Sequence, residues 1–579
     1  MTVLTSLRLA RRYSFSPVSG APSCLLPVGI ACALLAGPAI SQPVAPQVPN
    51  AGTVFRELQQ TLPPVLRTPE PALTPAPASI PTLGGGPTLP VPITVVELAG
   101  TLPAGVEASE VSRLLRSRAP FDRLDDLKAL AAEIQAYVRA QGYPLAQVSV
   151  PAQEITQGTV RLLLTVGQLD GRALAVNGQQ LRIREDRLRE YFAPIAAPQQ
   201  AFRQTDVERK LLLINDLPGI QARLQLAPGS APGLVSASLQ AQEGPALSGY
   251  VLLDNFGNDE TGRYRVTAAA YWNDPTRVGD QLGATLIATN ERLLAGKLDY
   301  LRPIGTDGLM LGASLLKSNF RLGGNLVDLG IRGDTLSAEA TLAYPLIRQA
   351  RSNLWVGAGL ARREFTTEMT DVTDEIKRVQ VGRAGLRGDR IDDLGGGGFW
   401  RFNLTGHAGQ LVPIQGMSIT DSESFSKWTF GVARNQRIAD GWSIYASWSG
   451  QRTRDLLDGS ERFLLGGVGA VRAYSNTAIA ADSADLFTLE VRHELGAVST
   501  LGNLQAVAFY DMGRTPQDPQ FELQANRIQG AGVALALTRA GRFQAVLTYA
   551  HRIGQSTSGL LTDDRTNGGR LWFSLLAQF

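Results

Sequence analysis

Cysteine and histidine are scarce in this chain of 579 residues, and their scarcity excludes several kinds of site. Both cysteines, Cys24 and Cys32, lie within the first 41 residues. The three histidines, His407, His493 and His551, are scattered and lack the spacing of metal ligands. Beyond residue 41 we therefore expect no disulfide and no thiolate metal site, and we expect the protein to use no metal and no other cofactor.

Long apolar runs and a strong net charge are also missing. The mean hydropathy is −0.02, and beyond residue 41 no uncharged apolar stretch reaches the length of a membrane-spanning helix. The formal net charge of +3 lacks the basic excess of nucleic-acid-binding proteins, so we expect no nucleic-acid partner. A transmembrane β-barrel is compatible with these values, because lipid-facing and lumen-facing residues alternate and their hydropathies average out.

Motifs for nucleotide binding and for hydrolysis are absent from the sequence as well. The glycines at 395–398 are not followed by the Lys-Ser/Thr pair of a phosphate-binding loop. No Gly-x-Ser-x-Gly elbow occurs, and acidic pairs such as Asp392-Asp393 are typical of solvated loops. We therefore expect no catalytic residues and no enzyme activity.

Residues 1–41 are typical of an export signal. Basic residues near Arg8 precede an apolar core at 24–37, and a small-x-small cleavage sequence follows at 39–41. We expect this segment to direct the chain across the inner membrane of a Gram-negative bacterium and then to be removed.

Residues 42–92 combine a short amphipathic helix with a proline-rich linker. Val54, Phe55 and Leu58 recur at helical spacing, and proline becomes dense from residue 63 onward. A helix on such a long tether can occupy a nearby cavity and leave it again.

Residues 93–244 predict two small α/β modules, at 93–168 and 169–244. In the first, a helix is predicted over 121–140 because one apolar stripe recurs along it, and strands follow. A similar order of strand, helices and strands then repeats. Each module has about the size at which a small core becomes possible.

Residues 245–579 are predicted to form a transmembrane β-barrel of about sixteen antiparallel strands. Short alternating segments recur between turns rich in Gly, Asp and Asn, and ~10 residues per strand fit this length. The chain ends on such a segment, in which Phe573, Leu575 and Phe579 share one apolar face. A buried terminal strand of a soluble sheet, a β-sandwich and a propeller are the alternatives, but no blade repeat and no second buried face is visible.

The most specific motif lies within a predicted loop near 463–482. Phe-Leu-Leu-Gly-Gly at 463–467 precedes Val471, Arg472, Ala473 and Tyr474, and Phe-Tyr-Asp-Met-Gly follows at 509–513. These segments resemble the inward-folded loop, with its Val-Arg-Gly-Tyr tip, and the Phe-x-Asp-x-Gly strand of the Omp85 superfamily. Ala473 stands where glycine is commonest, which restricts the backbone and predicts a slightly different tip geometry.

Further motifs narrow the resemblance to the two-partner secretion transporters, the TpsB proteins that export haemolysins and filamentous haemagglutinin by type V secretion. The similarity runs from about residue 51 to the end of the chain. The segments that carry it resemble the family's plug helix, its two POTRA modules, its first barrel hairpin and a barrel strand, at 51–60, 137–151, 211–219, 254–263 and 344–348.

The resemblance implies that Arg472 pairs with Asp511 inside the barrel. A charge in a barrel lumen needs a partner or water. The planar guanidinium can hold a carboxylate by two hydrogen bonds, which makes a rigid latch between loop and wall. We therefore expect this pair to act as a transport latch, and we expect the helix of Val54, Phe55 and Leu58 to act as a plug.

The function implied by the resemblance is an outer-membrane pore with its POTRA modules in the periplasm. It would recognise an unfolded secreted partner of the haemolysin or adhesin type by edge-strand addition and translocate it to the cell surface without ATP. We also expect contacts with outer-membrane lipid and lipopolysaccharide, and with the barrel assembly machinery during biogenesis.

Three other functions remain open at this point. An insertase of the same superfamily would fold other barrels, although it usually carries more POTRA modules. A passive porin needs neither the two modules nor the loop that carries Arg472. A secreted hydrolase would need a catalytic cluster that the sequence lacks.

Overall fold

The computed structural model describes residues 50–61, 88–117, 120–155, 158–170, 175–178, 181–197, 200–231, 233–370, 374–416, 423–516, 526–554 and 568–579. The predicted signal at 1–41 and most of the proline-rich linker lie outside these ranges. Within them, no helix is both long enough and apolar enough to cross a bilayer.

The chain's first described element is the short helix α1 (Ala51–Thr61). Asn50 precedes it as a capping residue, because its Oδ1 accepts a hydrogen bond of 3.1 Å from the Thr53 backbone N–H. The Thr53 hydroxyl in turn accepts one of 2.9 Å from the Asn50 backbone N–H. The helix therefore begins where its first backbone donors find side-chain acceptors.

The first α/β module packs two helices on a three-stranded sheet, in which β5 (Thr159–Thr165) lies between β2 (Val95–Ala99), to which it is parallel, and β4 (Gln147–Ser149), to which it is antiparallel. Its elements are β1 (Thr88–Ile93), β2 (Val95–Ala99), α2 (Ala108–Arg116), β3 (Phe121–Arg123), α3 (Leu124–Ala140), β4 (Gln147–Ser149) and β5 (Thr159–Thr165).

Two details of this module differ from the helix predicted over 121–140. Helix α3 begins at Leu124, because Phe121 pairs instead with Ile93 in a separate two-stranded sheet. The prediction also lacked α2, whose buried residues Val111 and Leu114 are too few to give a periodic signal. The buried stripe of α3 does follow the predicted helical spacing.

The second α/β module has a sheet whose central strand is β9 (Leu234–Glu243). This strand pairs in parallel with β6 (Gln168–Leu169) and β7 (Ala175–Asn177) on one side and antiparallel with β8 (Ile220–Pro228) on the other. Its elements are β6 (Gln168–Leu169), β7 (Ala175–Asn177), α4 (Glu185–Phe192), α5 (Gln204–Asn215), β8 (Ile220–Pro228) and β9 (Leu234–Glu243). Apolar residues of both helices and of the sheet form one core.

The predicted sixteen-strand barrel is confirmed. Within the described residues, sixteen strands pair antiparallel into one closed barrel, and short 3-10 turns lie at Gly324–Leu329, Leu394–Gly396 and Ser499–Leu501. The barrel strands are β10 (Leu247–Asp254), β11 (Arg265–Asn273), β12 (Gln281–Thr289), β13 (Leu293–Ile304), β14 (Leu309–Arg321), β15 (Arg332–Arg348), β16 (Ser352–Glu368), β17 (Glu375–Asp392), β18 (Gly398–Gln415), β19 (Ser424–Ala439), β20 (Trp442–Thr453), β23 (Ala484–Val498), β24 (Gly502–Thr515), β25 (Asn526–Arg539), β26 (Phe543–Arg552) and β27 (Arg570–Gln578).

The barrel closes where β27 pairs with β10, from Tyr250 opposite Gln578 to Asp254 opposite Ser574. Closure leaves no strand edge in the lipid, where an unpaired backbone group would be costly. Beyond Asp254 the side chain of Asn255 continues the seam. Its Nδ2 donates to the Leu571 carbonyl (2.8 Å) and its Oδ1 accepts from the Phe573 N–H (2.8 Å).

The segment between β20 and β23, residues 454–483, is the inward loop of this barrel. It contains the short antiparallel pair β21 (Phe463–Leu464) and β22 (Ala480–Ala481). Its apolar residues form a cluster of their own with Leu486, Phe509 and Ile528 of the barrel wall. The loop is therefore packed against the inner wall along much of its length.

Candidate functional site

The strand alternation of the barrel sorts the C-terminal residues between lipid and lumen. Phe573, Leu575 and Phe579 all lie exposed on the outer face. Trp572 points the other way, and 2% of its surface is exposed. Its indole N–H donates a hydrogen bond of 2.7 Å to the backbone carbonyl of Arg472, so the last strand also supports the inward loop.

Arg472 and Asp511 lie in contact on the inner wall. Arg472 Nε donates to Asp511 Oδ2 and Nη2 donates to Oδ1, both at 2.8 Å. The backbone N–H of Arg472 reaches Oδ2 as well, at 3.2 Å. The carboxylate is fully buried, and this two-pronged geometry fixes the direction of the loop tip.

A second carboxylate completes the surroundings of Arg472. Glu490 Oε1 lies 2.9 Å from Nη1, and the guanidinium lies 3.5 Å above the centre of the Phe509 ring. Glu490 also accepts a hydrogen bond of 2.8 Å from Arg492 Nε. All three guanidinium nitrogens therefore contact carboxylates, and the ring face adds a cation–π contact.

The remaining residues of the loop tip are buried beside this pair. Val471, Ala473 and Tyr474 expose at most 1% of their surface. Ala473 is not among the residues with positive φ, so its Cβ brings no backbone strain. Space for its methyl comes from Gly530 on the wall, where a Cβ would lie 2.5 Å from that methyl. The guanidinium of Arg552 lies 4.5 Å above the Tyr474 ring.

Helix α1 lies inside the barrel with its apolar face against the wall. Val54, Phe55 and Leu58 expose 3% of their surface or less. The Phe55 ring meets Phe365 of β16 edge to face, with centroids 5.7 Å apart. A cation–π contact from Arg363 covers the same Phe55 ring at 5.2 Å.

The polar face of α1 is held by the inward loop and by the loop after β10. Glu57 Oε1 accepts a hydrogen bond of 2.8 Å from Asn476 Nδ2, and Oε2 accepts one of 2.7 Å from Asn258 Nδ2. Arg56 Nε donates to the Arg462 carbonyl at 3.0 Å. The helix is thus bonded to both loops as well as packed on the wall.

The inward loop also bonds to the barrel wall below α1. Glu461 forms ion pairs with Arg363 of β16 and with Lys427 of β19, the latter at 2.7 Å. Asp458 forms another with Lys377 of β17 at 2.6 Å. These charges are buried, so each needs its partner to offset the lost hydration.

Sequence reasoning missed these surrounding residues, although each wall residue left a weak signal. Glu490, Arg363 and Lys427 are charged residues at strand positions that alternation turns inward, which marks them as lumen residues. The residues that these side chains contact cannot be predicted from the sequence in the same way. Glu57 and Asn476, for example, are 419 residues apart in the chain.

The second α/β module docks on one rim of the barrel. Arg348, at the end of β15, holds Asp216 after α5 through two hydrogen bonds of 2.8 Å. Lys210 of α5 lies 2.7 Å from Asp307 in the turn between β13 and β14. Hydrogen bonding to the Lys210 ammonium lowers the pKa of Asp307 from its usual value. The segments 211–219 and 344–348, which both resemble motifs of the two-partner secretion transporters, therefore contact each other.

Together, the closed barrel, its inward loop and its filled lumen define an outer-membrane transporter of the Omp85 superfamily. The model of the family described as haemolysin secretion/activation protein ShlB/FhaC/HecB matches residues 236–537, more than half of the chain. The chain belongs to that family. The ShlB-type POTRA domain model matches residues 91–167, which covers the first α/β module.

Curated relatives agree with this assignment. The chain is 26% identical over 509 residues to the heme/hemopexin transporter protein HuxB of Haemophilus influenzae, covering 85% of this chain and 88% of that protein. It is 21% identical over 429 residues to the outer membrane transporter CdiB of Dickeya dadantii, covering 72% and 75% respectively. The resemblance to two-partner secretion transporters is confirmed, and with it a role in protein secretion.

Solved structures share the fold. CdiB from Escherichia coli superposes with a TM-score of 0.71 at 19% identity, over 90% of this chain and 95% of that chain. CdiB from Acinetobacter baumannii superposes with a TM-score of 0.61 at 15% identity, over 91% and 96%.

Proposed function

We propose that this protein captures one secreted partner in the periplasm and passes it, unfolded, through the barrel to the cell surface. The observation that carries the proposal is the filled lumen. Helix α1 and the inward loop occupy it, and both are held there by side-chain contacts, while the strand pairing of the barrel does not include them. A pore that must stay closed to small molecules yet admit a polypeptide needs removable parts of this kind.

Capture begins at the two modules, which we place in the periplasm. Their sheets end in edge strands, β2 and β4 in the first module and β8 in the second. An extended partner chain can add to such an edge through backbone hydrogen bonds. Side chains on alternate positions then give specificity, so one partner is preferred over others.

Arg472 and Asp511 act as the latch in this mechanism. While the pair is intact, the inward loop stays on the wall and narrows the lumen. Passage of a polypeptide needs the loop to shift, and the buried ion pair sets how readily it does so. Folding of the partner outside the cell gives the transport its direction, because the periplasm offers no ATP.

The exposed outer face fits the remaining expected contacts. Lipid and lipopolysaccharide cover the outward apolar residues, and Phe573, Leu575 and Phe579 form the C-terminal signal for the barrel assembly machinery. No catalytic step is part of the mechanism, and it uses no metal or other cofactor.

Co-expression with the protein encoded beside this gene tests the proposal. We expect that protein in the medium only when this chain is present, with the Arg472→Ala variant as the impaired comparison. Secretion that does not depend on this chain would contradict it. A general failure to assemble other outer-membrane barrels in its absence would favour the insertase instead.

A further inference from the structure

A groove crosses the outer wall of the barrel on strands β12 to β19. Alternation of side chains fixes its side of the wall. On these strands Leu316 and Phe365 face the lumen, whereas Leu298, Leu315 and Leu360 line the groove and lie exposed on the outer face. The groove has a volume of about 1100 Å³. Ligand pockets reach about 1,000 Å³, so this groove is large enough for the acyl chains of a lipid.

The two ends of the groove differ in chemistry. Leu298 and Leu315 line it at β13 and β14. Its other end, on β16 to β19, is lined by Arg362, Gln380, Gln410 and Ser424. Neither glutamine side chain forms a hydrogen bond with another described residue. Polar side chains on a lipid-facing wall are costly without partners, so this end of the groove suits a polar headgroup.

The groove rises across the membrane from its apolar end to its polar end. It follows the pairing of neighbouring strands, from Leu298 opposite Leu315 to Gln380 opposite Gln410. Leu315 lies six residues after the start of β14, and Gln410 lies twelve residues after the start of β18, both counted from the rim that holds the second module. At about 2.5 Å of height per residue in a tilted strand, these positions lie about 15 Å and 30 Å above that rim. The apolar band of such a barrel is about 25 Å tall, so the polar end lies at its far boundary.

Two arginines give the polar end a positive charge. Arg362 Nη2 and Arg378 Nε both donate to Glu364 Oε1, at 2.9 Å and 3.0 Å. The two arginine side chains remain 57% and 28% exposed. One carboxylate shared by two guanidinium groups leaves one positive charge in excess, and each arginine keeps further N–H donors for a ligand. Planar donors of this kind suit a phosphate.

We propose that this groove binds lipid A, the phosphorylated and acylated anchor of lipopolysaccharide. A lipid A phosphate lies on Arg362 and Arg378, and acyl chains lie along Leu298 and Leu315. This inference rests on the proposed function, because placing the modules in the periplasm puts the polar end of the groove in the outer leaflet. A phospholipid of the inner leaflet would present its headgroup near the module rim, away from both arginines.

Lipid binding to the purified full chain tests the phosphate site. Native mass spectrometry would count bound bisphosphorylated lipid A, its dephosphorylated form and phosphatidylglycerol. We expect the parent to prefer the bisphosphorylated form, and Arg362→Gln to bind it about tenfold more weakly because a charged hydrogen-bond donor is lost. Arg452→Gln is the matched control and should bind like the parent. Arg452 is also exposed and also lies ten residues after the start of its strand, but it is outside the groove.

Filling the groove tests the place of the acyl chains. Ala340→Leu adds a larger side chain to the groove lining and should lower the bound lipid A per barrel. Ala446→Leu makes the same change outside the groove, on the outer face of β20 that also carries the exposed Trp448, and should leave binding unchanged. Heat-modifiable mobility on gels shows that each barrel is folded.

Equal lipid A binding by Arg362→Gln and Arg452→Gln, or equal binding of both lipid A forms by the parent, would refute the phosphate site. Phosphatidylglycerol bound as well as lipid A would refute lipid A as the occupant. Equal binding by Ala340→Leu and Ala446→Leu would refute the groove as the place of the acyl chains. None of these measurements needs the exported protein, so absence of export in the co-expression experiment would refute the proposed function and leave them standing.

Discussion

Arg472 illustrates how one side chain can hold a loop on the inner wall of a barrel. Its guanidinium meets Asp511 through two hydrogen bonds, meets Glu490 through a third nitrogen, and lies on the Phe509 ring. Lysine has a compact ammonium and cannot reproduce this fork. The loop tip is therefore fixed in direction as well as in position.

We expect Arg472→Ala to reduce export while the barrel still folds. Removing the cation leaves the buried Asp511 carboxylate without its charged partner, which costs about 3 kcal/mol at the loop. Arg472→Lys keeps the charge and should retain part of the export. The measurement is secreted partner per folded barrel, and normal secretion by the alanine variant would sink the latch hypothesis.

At the level of one element, helix α1 is held inside the barrel by both of its faces. Its apolar face is buried against the wall, and its polar face is bonded through Glu57 to Asn258 and Asn476. An isolated helix of 11 residues is only marginally stable in water. The helix therefore owes its stability to its contacts inside the barrel.

Deleting residues 51–61 should raise single-channel conductance in bilayers, because helix α1 then no longer occupies part of the lumen. Phe55→Asp should do the same, since a charge would be buried against Phe365 and the helix would leave. Phe55→Leu keeps the apolar contact and serves as the matched control with low conductance. Parent-like conductance in both the deletion and Phe55→Asp would argue against a plug.

At the scale of the whole molecule, side-chain contacts join the second α/β module to the rim of the barrel. Asp216 follows α5 and Arg348 ends β15, and their two hydrogen bonds join the module to the rim. Lys210 adds a contact to the next turn along the rim through Asp307. These contacts fix the second module at one part of the barrel rim.

Reversing the charge at position 216 alone, as Asp216→Arg, should loosen the contact between the second module and the barrel rim. Loss of the charged hydrogen bonds costs about 2 kcal/mol, and like charges then face each other. Spin-label distances between the module and the barrel should broaden. The double variant Asp216→Arg with Arg348→Asp should restore a narrow distribution. Unchanged distances in the single variant would show that other contacts suffice.

Several features could be predicted from the sequence because they depend on local periodicity. The alternation ending at Phe579 predicted an outward apolar face, and the stripe of α3 predicted its buried side, since each pattern follows from the geometry of one element. The predicted helix start at Phe121 was wrong, because Phe121 pairs with a distant strand and the helix begins at Leu124. Local pattern cannot report a pairing made 28 residues away with Ile93.

The sequence by itself determined the barrel with its alternating faces and the motifs that identify the family. It also predicted the export signal. Only the tertiary structure decided which lumen charges meet, that Glu490 and Trp572 support Arg472, and that α1 brings Arg56 beside other cations. Periodicity is fixed by the backbone of each strand or helix. Contacts across the lumen depend instead on the register of all sixteen strands and on the closure of the barrel, which no short segment encodes.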